Sequence, residues 1–107
     1  MSHVTTHVLD SSVGKPAVGV GVELQDPAGH LLATGRTNAD GRVASLGPDA
    51  LEPGPYRLVF DTLSYFAATA TPNFYPSVTI DFVVSGPEHY HVPLLLSPFA
   101  YSTYRGS

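Results

Sequence analysis

Apolar and polar residues alternate along most of this chain in short segments. Ten glycines and ten prolines are distributed between the segments. Turn residues that recur at intervals of about ten positions between short alternating runs are typical of β-sandwiches and β-barrels. The pattern therefore predicts an all-β fold.

The segments predict eight strands and one helix in a single domain, 1–107. Residues 11–16, 26–29 and 38–41 are predicted turns, because Asp, Asn and Gly suit the special backbone positions of turns. A short helix is predicted over 63–68, with Asp61 or Thr62 as its N-cap. No internal repeat, linker or low-complexity tract divides the chain. The predicted strands are 4–10, 18–25, 31–37, 42–46, 56–61, 77–84, 89–96 and 100–104.

The alternation also assigns side chains to the two faces of each strand. His7 lies on the face opposite Val8, and His91 lies opposite the Tyr90 face, which is the predicted core side. Both histidines therefore point away from the core, on faces that still carry Leu9 and Leu95. An apolar outward face predicts a covered surface, most simply an interface between subunits.

Composition narrows the possible partners and locations. The chain has 107 residues, of which 43% are hydrophobic and only 13% are charged, against a usual charged fraction of about a quarter. Low charge favours an oligomer. The net charge of -4 gives no basic surface for nucleic acid and no polybasic membrane patch, so neither partner is expected.

The chain lacks the sequence signals of disulfide-bonded, secreted and membrane-spanning proteins. There is no cysteine, which excludes disulfides and thiol chemistry. The N-terminus has no signal-peptide pattern, and no apolar run approaches the roughly 20 residues of a membrane span. These features predict a soluble protein of the cytoplasm.

Two histidines and one arginine are the candidate catalytic residues. His7 and His91 in a shielded groove would stay neutral near neutral pH, because desolvation disfavours the charged imidazole. Arg42 follows the Asp40-Gly41 turn. Its guanidinium group holds several N–H donors in one rigid plane, which suits a planar, anionic substrate and can stabilise a developing oxyanion.

Other uses of these residues remain open. His89 and His91 share a strand face and form a possible metal pair, although no Cys and no third ligand of suitable spacing is evident. No G-x-S-x-G elbow is present, so water is the predicted nucleophile. His3, His30 and His89 are assigned to the surface, and Pro93 predicts an unpaired position or a local bulge in its strand.

The C-terminal block 89–107, HYHVPLLLSPFAYSTYRGS, resembles the C-terminus of the transthyretin-related 5-hydroxyisourate hydrolases, which end on Tyr-Arg-Gly-Ser. Transthyretin itself lacks that ending and the strand histidine. Further matching blocks are His7–Asp10, Gly14–Ala17, Thr37–Arg42 and Tyr56–Phe60.

The resemblance implies a transthyretin-like sandwich of two sheets, with about eight strands and one short helix. It also implies opening of a ring amide of 5-hydroxyisourate, in urate catabolism, to 2-oxo-4-hydroxy-4-carboxy-5-ureidoimidazoline. His7, Arg42 and His91 match the family's catalytic positions. No cofactor or metal is implied, and the family's assembly is a homotetramer, a dimer of dimers with sites at the dimer–dimer interface.

The last residues are expected to shape the substrate pocket. Ser102 and Tyr104 share a face by period two, and Tyr104 would narrow a groove that contains His7 and His91. Ser107 and the terminal carboxylate are candidates to accept hydrogen bonds from the substrate or from Arg105.

The sequence leaves two alternative functions open. One is a transthyretin-like carrier that binds a small aromatic ligand in a channel without turning it over, and Tyr104 argues against such an open channel. The other is a β-sandwich interaction module of a larger protein. The chain starts at Met1 and ends without a linker, which lowers that expectation.

Overall fold

A computed structural model describes residues 2–107, which form nine β-strands and one α-helix. Most strands show the alternating burial that the sequence predicted, such as buried Val4 and Val8 with half-buried His7 between them. The elements are β1 (Val4–Asp10), β2 (Lys15–Pro16), β3 (Gly21–Gln25), β4 (Leu31–Arg36), β5 (Arg42–Val43), β6 (Gly54–Asp61), α1 (Thr62–Ala68), β7 (Val78–Val84), β8 (Tyr90–Leu96) and β9 (Tyr101–Thr103).

The strands form two sheets. Sheet A has the order β2-β1-β8-β9, with β5 also paired to β1, and sheet B has the order β4-β3-β6-β7. β1 and β8 run parallel, and the other strand pairs of the described residues are antiparallel. The predicted two-sheet, all-β architecture with one short helix is confirmed.

The inner faces of both sheets supply one hydrophobic core. Burying each large aliphatic or aromatic side chain contributes about 1.5–3 kcal/mol, so this layer holds the sheets together. Its largest fully buried members include Phe60, Phe66, Leu24, Leu46, Leu58, Leu94 and Leu96.

Several strand boundaries differ from prediction. Lys15–Pro16 was predicted to lie in a turn but forms β2 against Leu9 and Asp10. β3 begins at Gly21 and not at residue 18, because the Thr37 hydroxyl takes the neighbouring main-chain bonds: it donates to the Ala17 carbonyl (2.6 Å) and accepts from the Val20 N–H (2.9 Å).

The helix begins as predicted. Asp61 is the N-cap, and its carboxylate accepts from the main-chain N–H of Ser64 (3.1 Å). Phe66 and Thr62 are its buried residues. Among residues 2–107, no helix is long and apolar enough to cross a membrane.

The surface assignment of His3 was wrong, and of the two outcomes predicted at Pro93 the bulge is excluded. His3 was assigned to the surface but is buried, because its Nδ1 accepts from the Leu51 N–H (2.9 Å) and its Nε2 bonds to the Glu88 carbonyl (2.9 Å). At Pro93 no bulge forms: the register of β8 on β1 runs through it without a shift, and its carbonyl accepts from the Thr103 hydroxyl (2.7 Å).

Candidate active site

Strand register brings the three candidate catalytic residues to one face of sheet A. His7 on β1 is the register partner of Arg42 on β5, and residues directly opposite each other project to the same side. On the other flank of β1, His91 of β8 is the partner of Thr5, two residues from His7. His7, Arg42 and His91 therefore share the outward face, as predicted.

The turn before β5 fixes the backbone at Arg42. The Asn38 side chain accepts from the N–H groups of Asp40 (2.9 Å) and Arg42 (3.1 Å), and the Asn38 N–H donates to the Arg42 carbonyl (2.8 Å). Gly41 has a φ of 74°, and a Cβ there would lie 2.5 Å from the Val8 carbonyl oxygen, so only glycine fits.

No carboxylate of the described residues pairs with the guanidinium of Arg42, whose side chain is exposed. His7, His89 and Arg42 lie near enough to His91 to affect it electrostatically, and no ion pair within residues 2–107 brings a carboxylate to this group. The face is thus locally basic on a chain with a net charge of -4, which suits an anionic ligand.

His91 is held on two sides. Its Nδ1 lies 2.9 Å from the Thr5 hydroxyl, which is also 2.7 Å from Nε2 of His89. The C-terminal segment crosses its ring: the Gly106 N–H donates to the His91 carbonyl (2.8 Å), and a Cβ on Gly106 would lie 2.6 Å from His91 Cδ2. Nε2 of His91 bonds to no group in residues 2–107, which leaves it available to a ligand.

The surroundings of His91 lower its pKa. Burial is the largest cause, followed by the charges of Arg42, His7 and His89, while a main-chain hydrogen bond to Thr5 acts in the opposite direction. A histidine with a lowered pKa stays neutral at neutral pH, which is the form that can accept a proton.

The predicted substrate-binding residues do not all lie beside His91. Tyr104 is 57% exposed. It lines a cavity of about 360 Å³ with His91, but core residues Ile80, Tyr90 and Val92 also line it, so this cavity lies on the core side of β8 and not on the outward face. Ser102 is the register partner of Leu95, so it faces the same side as His91, and Ser107 is exposed.

Arg105 is placed differently. Its guanidinium lies 4.7 Å from the ring centre of Tyr90, whose side chain projects to the core side of β8. Since Tyr90 and His91 are consecutive in a strand, this contact lies on the opposite side of β8 from the His91 ring.

The face is open on a single chain. Arg42, Thr5 and His89 line a depression of about 290 Å³. A larger depression, of about 620 Å³, lies on sheet B around Glu23 and Arg36 and has no histidine in its lining. Within residues 2–107, no group of three or more His, Cys, Asp or Glu side chains is arranged to hold a metal ion.

Comparison with known proteins identifies the family. The model of the HIUase/transthyretin family matches residues 4–106. The chain belongs to this family. It is 48% identical over 115 aligned residues to a 5-hydroxyisourate hydrolase of Caulobacter vibrioides, with 100% of both chains covered. It is 47% identical over 109 residues to that of Salmonella dublin, covering 97% of this chain and 80% of the relative.

Solved structures from the family have the same fold. The 5-hydroxyisourate hydrolase of Klebsiella pneumoniae matches with a TM-score of 0.91 at 42% identity, covering 100% of this chain and 94% of that one. Transthyretin from Sparus aurata also matches with a TM-score of 0.91, at 30% identity over 99% of this chain and 97% of that one.

Four residues that contact or position the candidate catalytic residues were not among the predicted site residues: Thr5, Asn38, His89 and Gly106. His89 was assigned to the surface, and it is exposed, but it also bonds to the Thr5 hydroxyl. Asn38 had a usable signal, because Asn in a turn bonds its own downstream backbone. Thr5 shares the predicted face of His7, and Gly106 lies in the Tyr-Arg-Gly-Ser ending, but their contacts with His91 connect residues 86 and 15 positions apart, which no local pattern reveals.

Proposed function

We propose that this chain hydrolyses 5-hydroxyisourate by opening a ring amide, with His91 as the base that activates water. The observation that carries the proposal is the shared face of His7, Arg42 and His91, where the arginine has no acidic partner. Family membership and the names of the relatives support the substrate. The product is 2-oxo-4-hydroxy-4-carboxy-5-ureidoimidazoline.

The chemistry needs a base, an oxyanion partner and a proton donor. Nε2 of His91 takes a proton from water while the water oxygen bonds to the amide carbonyl carbon. Arg42 orients the anionic substrate and stabilises the negative charge that develops on the carbonyl oxygen. The C–N bond then breaks, the carbonyl becomes a carboxyl group, and the departing nitrogen takes the proton back from the imidazolium. His7 completes the pocket beside Arg42 and holds the water.

The C-terminal segment forms a wall of the pocket. Tyr104 narrows the groove, because period two places it on the face that Ser102 shares with Leu95 and His91, and Ser102 and Ser107 offer hydroxyl groups to the substrate. Arg105 was expected to contact substrate. Its stacking on Tyr90 supports a different role, in which it anchors the segment that carries Gly106 across His91.

The active form is proposed to be a homotetramer, a dimer of dimers with sites where the dimers meet. Leu9 and Leu95 are register partners on the same outward face as the histidines, so this face has an apolar part that a second subunit would cover. The open depression that Arg42, Thr5 and His89 line also favours enclosure by another copy of the chain.

A carrier function is the second candidate, because transthyretins share the fold. One matching structure is sea bream transthyretin in complex with thyroxine, at 32% identity and a TM-score of 0.88. The hydrolases match at higher identity, and the basic face with His91 and Arg42 has the groups that hydrolysis needs.

An enzyme assay separates these functions. Urate oxidase generates 5-hydroxyisourate in the cuvette, and its decay is followed by absorbance with and without the protein. Wild type is expected to accelerate the decay, and His91→Ala and Arg42→Ala are each expected to lose about 100-fold or more in kcat/KM. His30→Ala, which changes an exposed histidine on the other sheet's hairpin, is the matched control.

Two results would contradict the proposal. If His91→Ala or Arg42→Ala accelerates the decay of 5-hydroxyisourate as much as wild type does, the catalytic role proposed for the replaced residue is excluded. Micromolar thyroxine binding without any acceleration of decay by wild type would make the chain a carrier.

A further inference from the structure

The Thr5 hydroxyl lies between two imidazoles on the outward face of sheet A. Its Oγ1 is 2.9 Å from Nδ1 of His91 and 2.7 Å from Nε2 of His89. Both are ordinary hydrogen-bond distances. The parallel register of β1 and β8 places Thr5 directly beside His91, whereas His89 approaches from the segment before β8.

A threonine hydroxyl has one proton to donate, and this limits the possible arrangements. If Thr5 donates to His89, then Nδ1 of His91 must carry a proton and donate to Oγ1. If Thr5 instead donates to His91, then Nε2 of His91 carries the ring proton in the neutral form, and its lone pair is no longer available to water. The direction of this chain of bonds therefore decides whether His91 is a base.

The unpaired nitrogen of the His91 ring favours the first arrangement. Nδ1 of His91 lies 2.9 Å from the Thr5 hydroxyl, whereas Nε2 has no hydrogen-bond partner in residues 2–107. A ring proton on Nδ1 therefore has an acceptor in Oγ1 of Thr5, whereas a ring proton on Nε2 would have none within the described chain. With the proton on Nδ1, the lone pair of Nε2 is available to water.

We propose that Thr5 is a positioning residue that sets the tautomer of His91, with His89 as the final acceptor in the chain Nδ1–H of His91 to Oγ1–H of Thr5 to Nε2 of His89. This inference rests on the proposed role of His91 as the base. During turnover Nε2 gains and returns a proton, and the Nδ1–H bond to Thr5 stays intact. Thr5 and His89 therefore keep their protons throughout.

The tautomer can be measured without any variant or substrate. In ¹⁵N-labelled wild type above the pKa of His91, long-range ¹H–¹⁵N spectra distinguish a protonated from an unprotonated ring nitrogen. The expected result is protonated Nδ1 and unprotonated Nε2 at His91. A wild-type spectrum with protonated Nε2 would overturn the inference.

Variants test the consequence for catalysis. Thr5→Val removes the hydroxyl and keeps the β-branched shape, so it is expected to shift His91 towards the Nε2–H tautomer and to lower kcat by about 10- to 100-fold with little change in KM. Thr5→Ser restores the hydroxyl and should recover the wild-type tautomer and most of the activity. Thr34→Val, an exposed strand threonine of sheet B, is the matched control.

The same set of assays includes His91→Ala, which distinguishes a wrong assignment of the base from a wrong role for Thr5. If His91→Ala is as active as wild type, the proposed role of His91 as base is wrong. If His91→Ala is inactive while Thr5→Val keeps both the wild-type tautomer and wild-type kcat, only the role of Thr5 is overturned.

Discussion

At the scale of single residues, burial and like charge act together on His91. Both lower its pKa, and the charged neighbours that contribute are Arg42, His7 and His89. Because the neutral form is the base, kcat/KM should rise with pH through the His91 pKa and then level off. On the acidic side of the wild-type pH profile, kcat/KM is therefore expected to fall with a midpoint below 6.5, the ordinary pKa of histidine.

Replacing Arg42 tests the electrostatic part of that shift. Arg42→Gln removes one positive charge, so the pKa of His91 should rise. The midpoint of the fall of kcat/KM on the acidic side should therefore move to higher pH, and the plateau of kcat/KM should be lower than in wild type. The measurement is kcat/KM against pH from 5 to 8, an interval chosen around histidine titration. Arg36→Gln, on sheet B, is the control. An unmoved or lowered midpoint in Arg42→Gln would contradict the argument.

At the scale of elements, the C-terminal segment after β9 depends on the absence of a side chain at Gly106. A Cβ there would lie 2.6 Å from His91 Cδ2 and 3.2 Å from Pro93 Cγ, so the segment or the ring must move. Gly106→Ala is expected to lower kcat/KM by about 10- to 100-fold, because small displacements of catalytic groups are costly. The expected change in Tm is small, since the residue is near the chain end.

Gly21→Ala provides the matched control for that change. Its Cβ would meet only Asp61 Cβ at 3.7 Å, an ordinary contact, in the other sheet. Equal kinetics for Gly106→Ala and wild type would show that the tail does not constrain His91.

The helix is tied to sheet A by one buried hydrogen bond. The Tyr65 hydroxyl of α1 donates to the carboxylate of Asp10 (2.7 Å), which is 5% exposed at the end of β1. Burial and this bond raise the pKa of Tyr65 to about 12. Tyr65→Phe is expected to lower the free energy of unfolding by about 2 kcal/mol, because a bond to a buried charge is lost.

Chemical denaturation measures this effect, with Tyr75→Phe as the control. The Tyr75 ring makes an edge-to-face contact with Tyr101, and its hydroxyl has no hydrogen bond among the described residues. Equal stability losses in Tyr65→Phe and Tyr75→Phe would mean that the bond to Asp10 contributes nothing specific.

At the scale of the whole molecule, the proposed tetramer depends on the outward face of sheet A. Leu95→Lys places a charge in the apolar part of that face, so the assembly should dissociate to a smaller species and lose most of its activity. Sedimentation velocity at the assay concentration measures the change. Leu32→Lys, at an exposed leucine of β4, should leave the assembly intact. A wild type that sediments as a monomer would refute the proposal.

Local patterns were sufficient for much of the fold. Period-two burial along β1 and β8 gave the correct faces, and Asp61 was one of the two expected helix caps. The failures were at Lys15–Pro16, which pairs with Leu9 and Asp10 across a short turn, and at the start of β3, where a distant partner decides the outcome. The Thr37 hydroxyl accepts a hydrogen bond from the Val20 N–H just before β3 begins. The two residues are 17 positions apart, so local propensity cannot reveal this bond.

The sequence alone determined the all-β class, the face on which His7 and His91 lie, and the resemblance to a hydrolase family, because alternation and motifs are local properties of the chain. Only the tertiary structure decided how those residues meet. Parallel pairing of β1 with β8 placed the Thr5 hydroxyl between His89 and His91, and the chain end brought Gly106 onto the same ring. These contacts join distant positions, so they depend on strand register and close packing, which the sequence encodes only collectively.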